Sequence, residues 1–271
     1  MIDKKSLPLV SVIMGIYNCE HTLAEALESI LNQTWKNWEL ILYDDGSTDG
    51  TFEMAKMYAD RDSRIHLMHG NDNRKLSYAL NQCLRNSSGE YIARMDGDDI
   101  SHPDRFEKQI TYLETHPQVH LVGTQMNKFD ESGYIGTQRA PLKPVPEMLR
   151  GGVPIFHATI MARRSVFDAL GGYTESEAVE GVEDLDLWFR FFERGYKAIN
   201  IDEVLYDVRM DQSAVKRRTL KRRIRSIKTR AAGYKRLGFP RRWIIKPAII
   251  LLMKGFTPTW IRRIALKGRI R

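Results

Sequence analysis

The stretch GEYIARMDGDD, residues 89–99, decides the fold prediction because an apolar run ends directly in three carboxylates. Residues 91–95 show the short apolar pattern of a strand buried in a parallel sheet. Asp96, Asp98 and Asp99 follow at once, and carboxylates this close repel one another unless a cation or hydrogen-bond donors neutralise them. An isolated Asp-Gly-Asp is often only a turn, but its position after a strand favours a ligand site at the end of that strand.

The segments before this stretch alternate between strand and helix patterns. Residues 10–16, 40–43 and 65–68 predict three more strands, and residues with helical spacing follow each of them. This alternation predicts an α/β fold with a Rossmann-like, doubly wound and mainly parallel sheet. Thr22 and Glu25 match a capping box, which predicts that they begin the first helix.

A second acidic turn, DDGSTDG at residues 44–50, follows the second predicted strand. Right-handed crossovers place all strand-to-helix loops at one edge of such a sheet, so we expect the two acidic clusters to lie near each other. The turn is similar to the beginning of an EF-hand loop, but Lys56 stands where that loop needs a bidentate glutamate. We therefore expect no EF-hand, and no P-loop string occurs either.

Beyond residue 100 the patterns are less regular. Helical spacing predicts helices at residues 106–113 and 182–194, and Gly195 is the expected stop of the second. Residues 121–124 predict a short strand, and residues 130–136 predict a hairpin. The sheet is therefore expected to continue past the acidic stretch.

Charge is distributed unevenly along the chain. The 271 residues include 42 Lys and Arg and 34 Asp and Glu, for a net charge of +8 at pH 7. Residues 215–271 hold 20 of these bases and no acid, so residues 1–214 carry −12. Within residues 215–234, apolar residues recur every three or four positions between the bases, which predicts a basic amphipathic helix. We expect an acidic body with a basic helical extension.

Composition excludes several classes of protein. A hydrophobic fraction of 42% supports a folded core rather than disorder. Cys19 and Cys83 are the only cysteines, too few for a disulfide framework, and they indicate a cytosolic compartment. Proline and polar residues interrupt residues 7–19, so we predict a strand there rather than a signal peptide. No apolar run approaches the roughly 20 residues of a membrane-spanning helix.

The acidic stretch offers only oxygen ligands. Without an accompanying histidine or cysteine, such a set favours Mg²⁺ or Mn²⁺. These ions commonly take one or two carboxylates and leave the remaining positions to water and phosphate oxygens. Asp96, Asp98 and Asp99 therefore indicate a ligand that carries a diphosphate, such as a nucleotide.

Together the motifs resemble the inverting family-2 glycosyltransferases of the GT-A fold, many of which build bacterial surface polysaccharides such as O-antigen or capsule. The resemblance covers about residues 8–213. It implies a catalytic domain of residues 1–214, with a nucleotide-sugar half at about 1–100 and an acceptor half at about 101–214, before the basic tail of residues 215–271. The motifs are VSVIMGIYN (10–18), ILNQTW (30–35), LYDDGSTDGT (42–51), GEYIARMDGDD (89–99), PDRF (103–106) and GVEDLDLWFR (181–190).

The resemblance implies a role for each matching residue. Asp184 would be the catalytic base that removes the acceptor proton, and a place near a helix start favours its ionised form. Asp98, with Asp96, would hold Mn²⁺ or Mg²⁺ against the donor diphosphate. The implied nucleotide-binding residues are Ile16, Tyr17, Asp45, Asp96 and Arg209. The residues placed near the acceptor or behind the site are Glu183, Asp99, His157 and Trp188.

Structural roles compete with several of these assignments. Asp45 can simply organise its turn, and His157 can be an ordinary core histidine. Glu183 and Asp184 can be helix-start charges. Related sequences often have a histidine after the last strand that completes the metal shell, but this chain has Arg209 in that string. We expect Arg209 to bind diphosphate oxygens directly.

The resemblance therefore implies a metal-dependent inverting glycosyltransferase. The enzyme would move a sugar from a nucleotide sugar, expected to be UDP-linked, to a membrane-linked glycan or lipid-diphosphate acceptor in cell-surface polysaccharide synthesis. One alternative is a catalytically inactive relative that binds membrane or nucleic acid. Another is a sugar-nucleotide nucleotidylyltransferase, but residues 15–19 lack the glycine-rich basic loop of that class.

The basic tail suits an anionic membrane surface, because each basic residue near such a surface adds about 1 kcal/mol and tryptophans favour the interface. We expect a cytoplasmic protein that associates peripherally with the inner face of the cell membrane through residues 215–271. A helix docked on the acidic body by its apolar stripe is the alternative. Nucleic acid is not an expected partner, because the usual recognition modules are not apparent.

Overall fold

A computed structural model describes residues 7–210 and 219–256 of the chain. These residues fold into a central sheet covered by helices. The strands are β1 (Val10–Ile16), β2 (Trp38–Asp44), β3 (Ile65–His69), β4 (Tyr91–Arg94), β5 (Ile100–Ser101), β6 (Leu121–Asp130), β7 (Gly133–Gln138), β8 (Met161–Arg163) and β9 (Ala198–Arg209). The α-helices are α1 (Glu20–Leu31), α2 (Thr51–Ala59), α3 (Leu76–Asn86), α4 (Arg105–Thr115), α5 (Arg164–Leu170), α6 (Glu183–Glu193), α7 (Leu220–Arg236) and α8 (Ile245–Phe256). Short 3₁₀ helices cover Pro146–Arg150, His157–Thr159 and Arg241–Ile244.

The first half of the sheet is parallel. Its strand order is β3-β2-β1-β4, and β1 pairs in parallel with both β2 and β4. Both β1 and β4 are buried along nearly their whole length, which explains their continuous apolar runs. The carboxyl ends of these strands therefore open on one edge, where residues 17–19, 45–50 and 95–99 lie.

The second half of the sheet is mixed. Strand β8 lies antiparallel between β4 and β6, whereas β6 runs parallel to β9. The short strand β5, which directly follows the acidic stretch, pairs with the end of β9 through Ser101 and Tyr206. The predicted α/β fold is confirmed, and this last pairing also brings the end of β9 to the acidic edge.

Helices cover both faces of the sheet. Leu27 of α1 and Phe106 of α4 pack on one face, in the same core cluster as Val12. Leu80 of α3 and Phe191 of α6 pack on the opposite face. The described helices therefore cover both faces of the sheet, as a doubly wound fold requires.

Helix α1 begins differently from the prediction. It starts at Glu20, and Cys19 occupies the N-cap position without a side-chain cap, so the predicted capping box is wrong. Thr22 donates its hydroxyl to the carbonyl of Gly97 at 3.0 Å, and Glu25 instead accepts from an arginine at the end of β9. Tertiary partners at the acidic edge have replaced the local cap.

Helix α7 lies in the predicted basic segment but buries only part of its apolar stripe. Leu220 and Ile224 are 56% and 41% exposed, whereas Tyr234 is buried. A Cβ at Gly233 would lie 2.2 Å from the ring of Phe189 on α6, so the close approach of the two helices requires glycine. The helix thus packs on α6 through the end of its apolar stripe at Tyr234, while the beginning of the stripe is exposed. Residues 211–218 and 257–271 of the predicted tail lie outside the described residues.

Helix α8 follows α7 and exposes apolar side chains. Ile245, Ile249 and Ile250 are all exposed, and they line a shallow groove with the basic residues Arg242 and Lys246. Across residues 7–210 and 219–256, none of the helices has both the length and the apolar character to cross a membrane. The exposed side of α8 is therefore a mixed apolar and basic surface.

Candidate active site

The loops after β1 and β2 are hydrogen-bonded to each other. Asn18 donates its backbone N–H to Ser47 Oγ at 3.0 Å, and its side-chain oxygen accepts the backbone N–H of Thr48 at 2.8 Å. The φ of Asn18 is 47°, a left-handed conformation that asparagine tolerates better than most residues. Cys19 donates its backbone N–H to Thr51 Oγ1 at 2.8 Å. The polar side chains of the second turn thus fix the first loop.

The acidic stretch lies against these loops, as the topology predicted. Burial raises the pKa of the Cys19 thiol to about 12, and Asp98 and Asp49 add to the rise because both lie near the sulfur. A Cβ at Gly97 would lie 3.0 Å from Ile16 Cγ2 and 3.1 Å from Cys19 Sγ. A side chain at this position would crowd Ile16 and Cys19, so glycine allows close packing between the loops.

Asp45 holds the loop that follows β3. Its Oδ1 accepts the backbone N–H of Arg74 at 2.9 Å, and its Oδ2 accepts that of Lys75 at 2.7 Å. Burial raises the pKa of Asp45, and these two N–H donors counter the rise. Tyr17 is 45% exposed, whereas Ile16 is buried in the core. Of these residues, Tyr17 presents the open side chain, and the contacts of all three to a nucleotide base remain predictions.

The three carboxylates of the acidic stretch converge. Ligand oxygens of Asp96, Asp98 and Asp99 lie within 4.8 Å of one another. Asp99 is only 2% exposed, and burial together with the two neighbouring charges raises its pKa well above the ordinary aspartate range. A divalent cation would relieve this repulsion, and an all-oxygen set fits Mg²⁺ or Mn²⁺. The residues present therefore fit the metal that the sequence predicts.

A buried arginine and a buried tyrosine support Asp96. Arg94, at the end of β4, is 5% exposed and donates from its guanidinium to Asp96 Oδ1. Tyr206, on β9, accepts the backbone N–H of Asp96 through its hydroxyl at 3.2 Å. Neither residue was predicted from the sequence. An arginine inside an otherwise apolar strand was the available signal, because a buried guanidinium needs a paired charge.

Arg209 holds the acidic stretch from the end of β9. Its backbone N–H donates to Asp99 Oδ1 at 2.8 Å, and its Nε donates to the carbonyl of Asp98 at 3.0 Å. The guanidinium also donates to Glu25 and lies 4.5 Å from the ring centroid of Phe129. Arg209 thus orients the carboxylate cluster, and its contact to a diphosphate remains a prediction.

The predicted base lies in the first turn of α6. Asp184 Oδ1 accepts the backbone N–H of Leu185 at 2.7 Å. Burial raises the pKa of this carboxyl, while that N–H and the charges of Arg222, Arg94 and Arg230 counter the rise. Burial therefore prevails and the pKa stays raised overall, while the three arginines offset part of the rise toward the ionised form that a proton acceptor needs.

Arg94 connects the two halves of the site. It donates a hydrogen bond to Asp96, and its positive charge also offsets part of the rise in the pKa of Glu183 and of Asp184. Burial raises the pKa of Glu183, and its buried Oε2 has no hydrogen-bond partner within the described part of the chain. The carboxylate cluster and the predicted base therefore lie around one buried cation.

His157 is packed among aromatic residues. Its Nε2 lies 2.8 Å from the hydroxyl of Tyr173, and its ring contacts Trp188 edge-on with centroids 6.0 Å apart. Burial lowers the pKa of His157 well below its ordinary value, so its ring is neutral at pH 7. Trp188 is fully buried one helical turn after Asp184. A contact of either residue with an acceptor remains a prediction.

The doubly wound sheet, the carboxylate cluster after β4 and the acidic pair at the start of α6 together define a glycosyltransferase of the GT-A fold. A model of the family described as Glycosyl transferase family 2 matches residues 11–171. This chain belongs to that family, and the resemblance drawn from its motifs is confirmed.

Two curated relatives show the extent of the similarity. The chain is 52% identical over 213 residues to "Putative glycosyltransferase EpsE" of Bacillus subtilis (strain 168), which covers 78% of this chain and 77% of the relative. It is 33% identical over 217 residues to "Amylovoran biosynthesis glycosyltransferase AmsE" of Erwinia amylovora, with coverage of 78% and 79%. The similarity thus extends over most of both relatives.

Solved structures show the same fold. TarS 1–349 of S. aureus, in complex with UDP, matches with a TM-score of 0.68 at 15% identity, over 92% of this chain and 72% of that one. The mannosyltransferase PcManGT from Pyrobaculum calidifontis, in complex with GDP-Man and Mn²⁺, matches with a TM-score of 0.64 at 20% identity, over 98% and 80%. At these identities the likeness concerns the fold alone.

Proposed function

We propose that this chain is a metal-dependent inverting glycosyltransferase that transfers a sugar from a UDP-sugar to a membrane-linked glycan or lipid-diphosphate acceptor. The observation that carries the proposal is the position of Arg94. Its guanidinium donates a hydrogen bond to Asp96, and its positive charge offsets part of the rise in the pKa of Asp184. A site for a donor diphosphate and a proton acceptor would therefore lie side by side. The name of AmsE, an amylovoran biosynthesis glycosyltransferase, supports a role in cell-surface polysaccharide synthesis.

The donor would bind at the carboxylate cluster. Asp98 and Asp96 would hold Mn²⁺ or Mg²⁺, which when bound supplies positive charge to the departing nucleoside diphosphate. Tyr17, which is exposed at the same edge, would line the base. The complexes of TarS with UDP and of PcManGT with GDP-Man and Mn²⁺ support a nucleotide donor and a divalent ion. We propose uridine as the base because residues 42–51 resemble the family motif, and the resemblance implies that Asp45 contacts the base of a uridine nucleotide.

The acceptor would bind on the side of α6. Asp184 would take the proton of the acceptor hydroxyl while the acceptor oxygen attacks the anomeric carbon of the donor sugar. The bond from that carbon to the diphosphate oxygen breaks on the opposite face, so the configuration inverts. Glu183 would stand beside this carboxylate, and the buried Trp188 and His157 would support the wall behind it.

The exposed side of α8 supports attachment to an anionic membrane. Its isoleucines Ile245, Ile249 and Ile250 share a surface with Arg242 and Lys246. Apolar side chains flanked by bases bind at the headgroup level of anionic bilayers. Because α7 already packs on α6, we assign the membrane contact to α8, on a cytoplasmic protein at the inner face of the cell membrane.

Release of nucleoside diphosphate from a panel of nucleotide sugars tests the enzymatic proposal. The full chain with Mn²⁺ is expected to release UDP from at least one UDP-sugar, and EDTA is expected to stop the release. Asp98→Ala should abolish it, whereas Asp202→Ala, at an exposed aspartate of β9, should keep the wild-type rate. Equal rates for wild type and Asp98→Ala would remove the assignment of the metal site.

Sedimentation with vesicles tests the membrane proposal. The full chain is expected to pellet with vesicles that contain phosphatidylglycerol and not with pure phosphatidylcholine. Replacing Ile245 and Ile249 together by glutamate should reduce pelleting, whereas Leu142→Glu, at an exposed leucine outside α8, should not. Equal pelleting of the double variant and wild type would exclude α8 as the contact.

A further inference from the structure

Helix α7 contacts the segment that leads into Asp184. Arg222 donates from its Nε to the carbonyl of Gly181. Arg225 donates to the carbonyl of Glu180 at 3.1 Å and to its carboxylate at 2.8 Å. Two arginines of the basic helix therefore hold consecutive residues just before the start of α6.

The same helix also holds α6 beyond Asp184. Arg236 donates to Asp186 Oδ1 at 3.2 Å, while Asp186 Oδ2 accepts from Thr174 at 2.7 Å and from Arg190 at 2.8 Å. The close approach of Gly233 to Phe189 brings the two helices together without a side chain between them. Contacts from α7 thus lie on both sides of the predicted base.

The start of α6 has no cap from the side chain of its N-cap residue. Val182 occupies its N-cap position and offers no side-chain cap, a bond that can satisfy a free N–H of the first turn. Gly181 precedes it with a φ of 77°, a left-handed conformation. The first turn keeps its own bond from the Leu185 N–H to Asp184 Oδ1, and the arginines of α7 add bonds from outside α6 to the backbone just before it.

The positive charges of α7 also affect Asp184. The rise in the pKa of the Asp184 carboxyl on burial is offset in part by the backbone N–H of Leu185 and by the charges of Arg222, Arg94 and Arg230. Two of these three arginines belong to α7. Removal of one of them would leave the buried carboxylate less stabilised in its ionised form.

We propose that α7 is a positioning element of the transfer reaction, in which Arg222 and Arg225 fix the segment before α6 so that Asp184 faces the acceptor. This inference rests on the proposed function, because it assigns the basic helix a task only if Asp184 is the base. It gives the helix a role in turnover that is separate from membrane attachment.

The double variant Arg222→Gln/Arg225→Gln of the full chain tests the proposal. The matched control is Lys228→Gln/Lys235→Gln, which removes the same charge from two exposed positions of α7. Amide hydrogen exchange of residues 176–186 reports the position of the segment without any need for turnover. Steady-state kinetics and the pH profile of sugar transfer report the effect on the base.

We expect faster exchange in residues 176–186 in the arginine variant only. We also expect a fall in kcat of about tenfold, less than the roughly hundredfold that a 1 Å misplacement can cost, with the donor KM unchanged. The acid limb of the pH profile should move to higher pH, and Arg222→Lys/Arg225→Lys should restore part of the rate. A merely structural role would not move the pH profile.

Unchanged exchange in the arginine variant would overturn the proposal whether or not the chain turns over a nucleotide sugar. An arginine variant with wild-type kcat and an unmoved acid limb would also overturn it. Absence of turnover in the wild type, with faster exchange in the arginine variant, would instead overturn the proposed function and leave the contact of α7 with the segment standing.

Discussion

The backbone N–H of Arg209 donates to Asp99 Oδ1 at 2.8 Å, so the last strand of the sheet holds the carboxylate cluster. The side chain of Arg209 adds a bond to the carbonyl of Asp98 at 3.0 Å, and Tyr206 accepts the backbone N–H of Asp96. Strand β9 therefore contacts every acid of the cluster. The geometry available to a metal depends on this strand as much as on the loop that supplies the ligands.

Arg209→Ala should weaken binding of UDP in the presence of Mn²⁺ by about tenfold. The variant loses a charged hydrogen bond to the acidic loop, and such bonds contribute about 1.5–3 kcal/mol. Titration calorimetry measures the affinity. Arg139→Ala, at a 63% exposed arginine paired with Asp202, is the control and should bind as the wild type does. Wild-type affinity in Arg209→Ala would show that the side chain does not shape the site.

Mn²⁺ should raise the thermal stability of the wild type. The cation would relieve the repulsion that raises the pKa of Asp99, and at 100 times its Kd a ligand of the folded state adds about 2.7 kcal/mol. Differential scanning fluorimetry with Mn²⁺ and with EDTA measures the shift in Tm. The shift should vanish in Asp98→Ala, and an equal shift in that variant would place the ion elsewhere.

Sugar transfer should lose activity on the acid side at a pH above the 3.8 of an ordinary aspartate. Burial raises the pKa of Asp184, and a base must be ionised, so the rate falls as pH drops through that raised pKa. The pH dependence of kcat/KM for the acceptor measures this limb. A rate that stays constant down to about pH 4 would argue against Asp184 as the base.

The ion pair between His102 and Asp207 should make stability depend on pH. Their atoms lie 3.0 Å apart, and the bond to Asp207 raises the pKa of His102 above 6.5. The stabilisation is therefore complete below pH 6.5 and is lost as pH rises through the raised pKa. His102→Gln should cost about 0.5 kcal/mol at the lower pH and nothing above that window.

Urea unfolding at about pH 6 and about pH 9 checks this sign. His21→Gln, at a 91% exposed histidine whose ion pair with Glu20 is open to solvent, should cost little at either value. A cost of His102→Gln that does not change with pH would mean that the pair is not the titrating contact.

The local pattern of the sequence was enough to predict the parallel half of the sheet. Residues 10–16 form a continuous apolar run because β1 is buried on both faces between two parallel neighbours. The acidic stretch could be predicted for the same reason, since strand ends meet at one edge. The acidic stretch lies near the second acidic turn, because Asp98 of the stretch and Asp49 of the turn both raise the pKa of Cys19.

Residues whose partners are distant in sequence could not be predicted. Glu25 was expected to cap its own helix but bonds Arg209, 184 residues away. The apolar stripe of α7 was expected to suit a membrane surface, with docking on the acidic body as the alternative, but it divides: Tyr234 at its end is buried near the close approach at Gly233, whereas Leu220 and Ile224 at its beginning are exposed. Helical spacing shows that a helix has two faces, and only the packing decides which face is buried.

The central claim, that Asp184 acts as the base beside a metal-held donor, is tested most directly by single-turnover sugar transfer with Asp184→Asn. The variant keeps the size of the side chain but cannot accept the proton. We predict that it binds UDP and Mn²⁺ as the wild type does while transfer falls by at least about a hundredfold, within the range that general-base catalysis supplies. Transfer at the wild-type rate with unchanged donor binding would contradict the account.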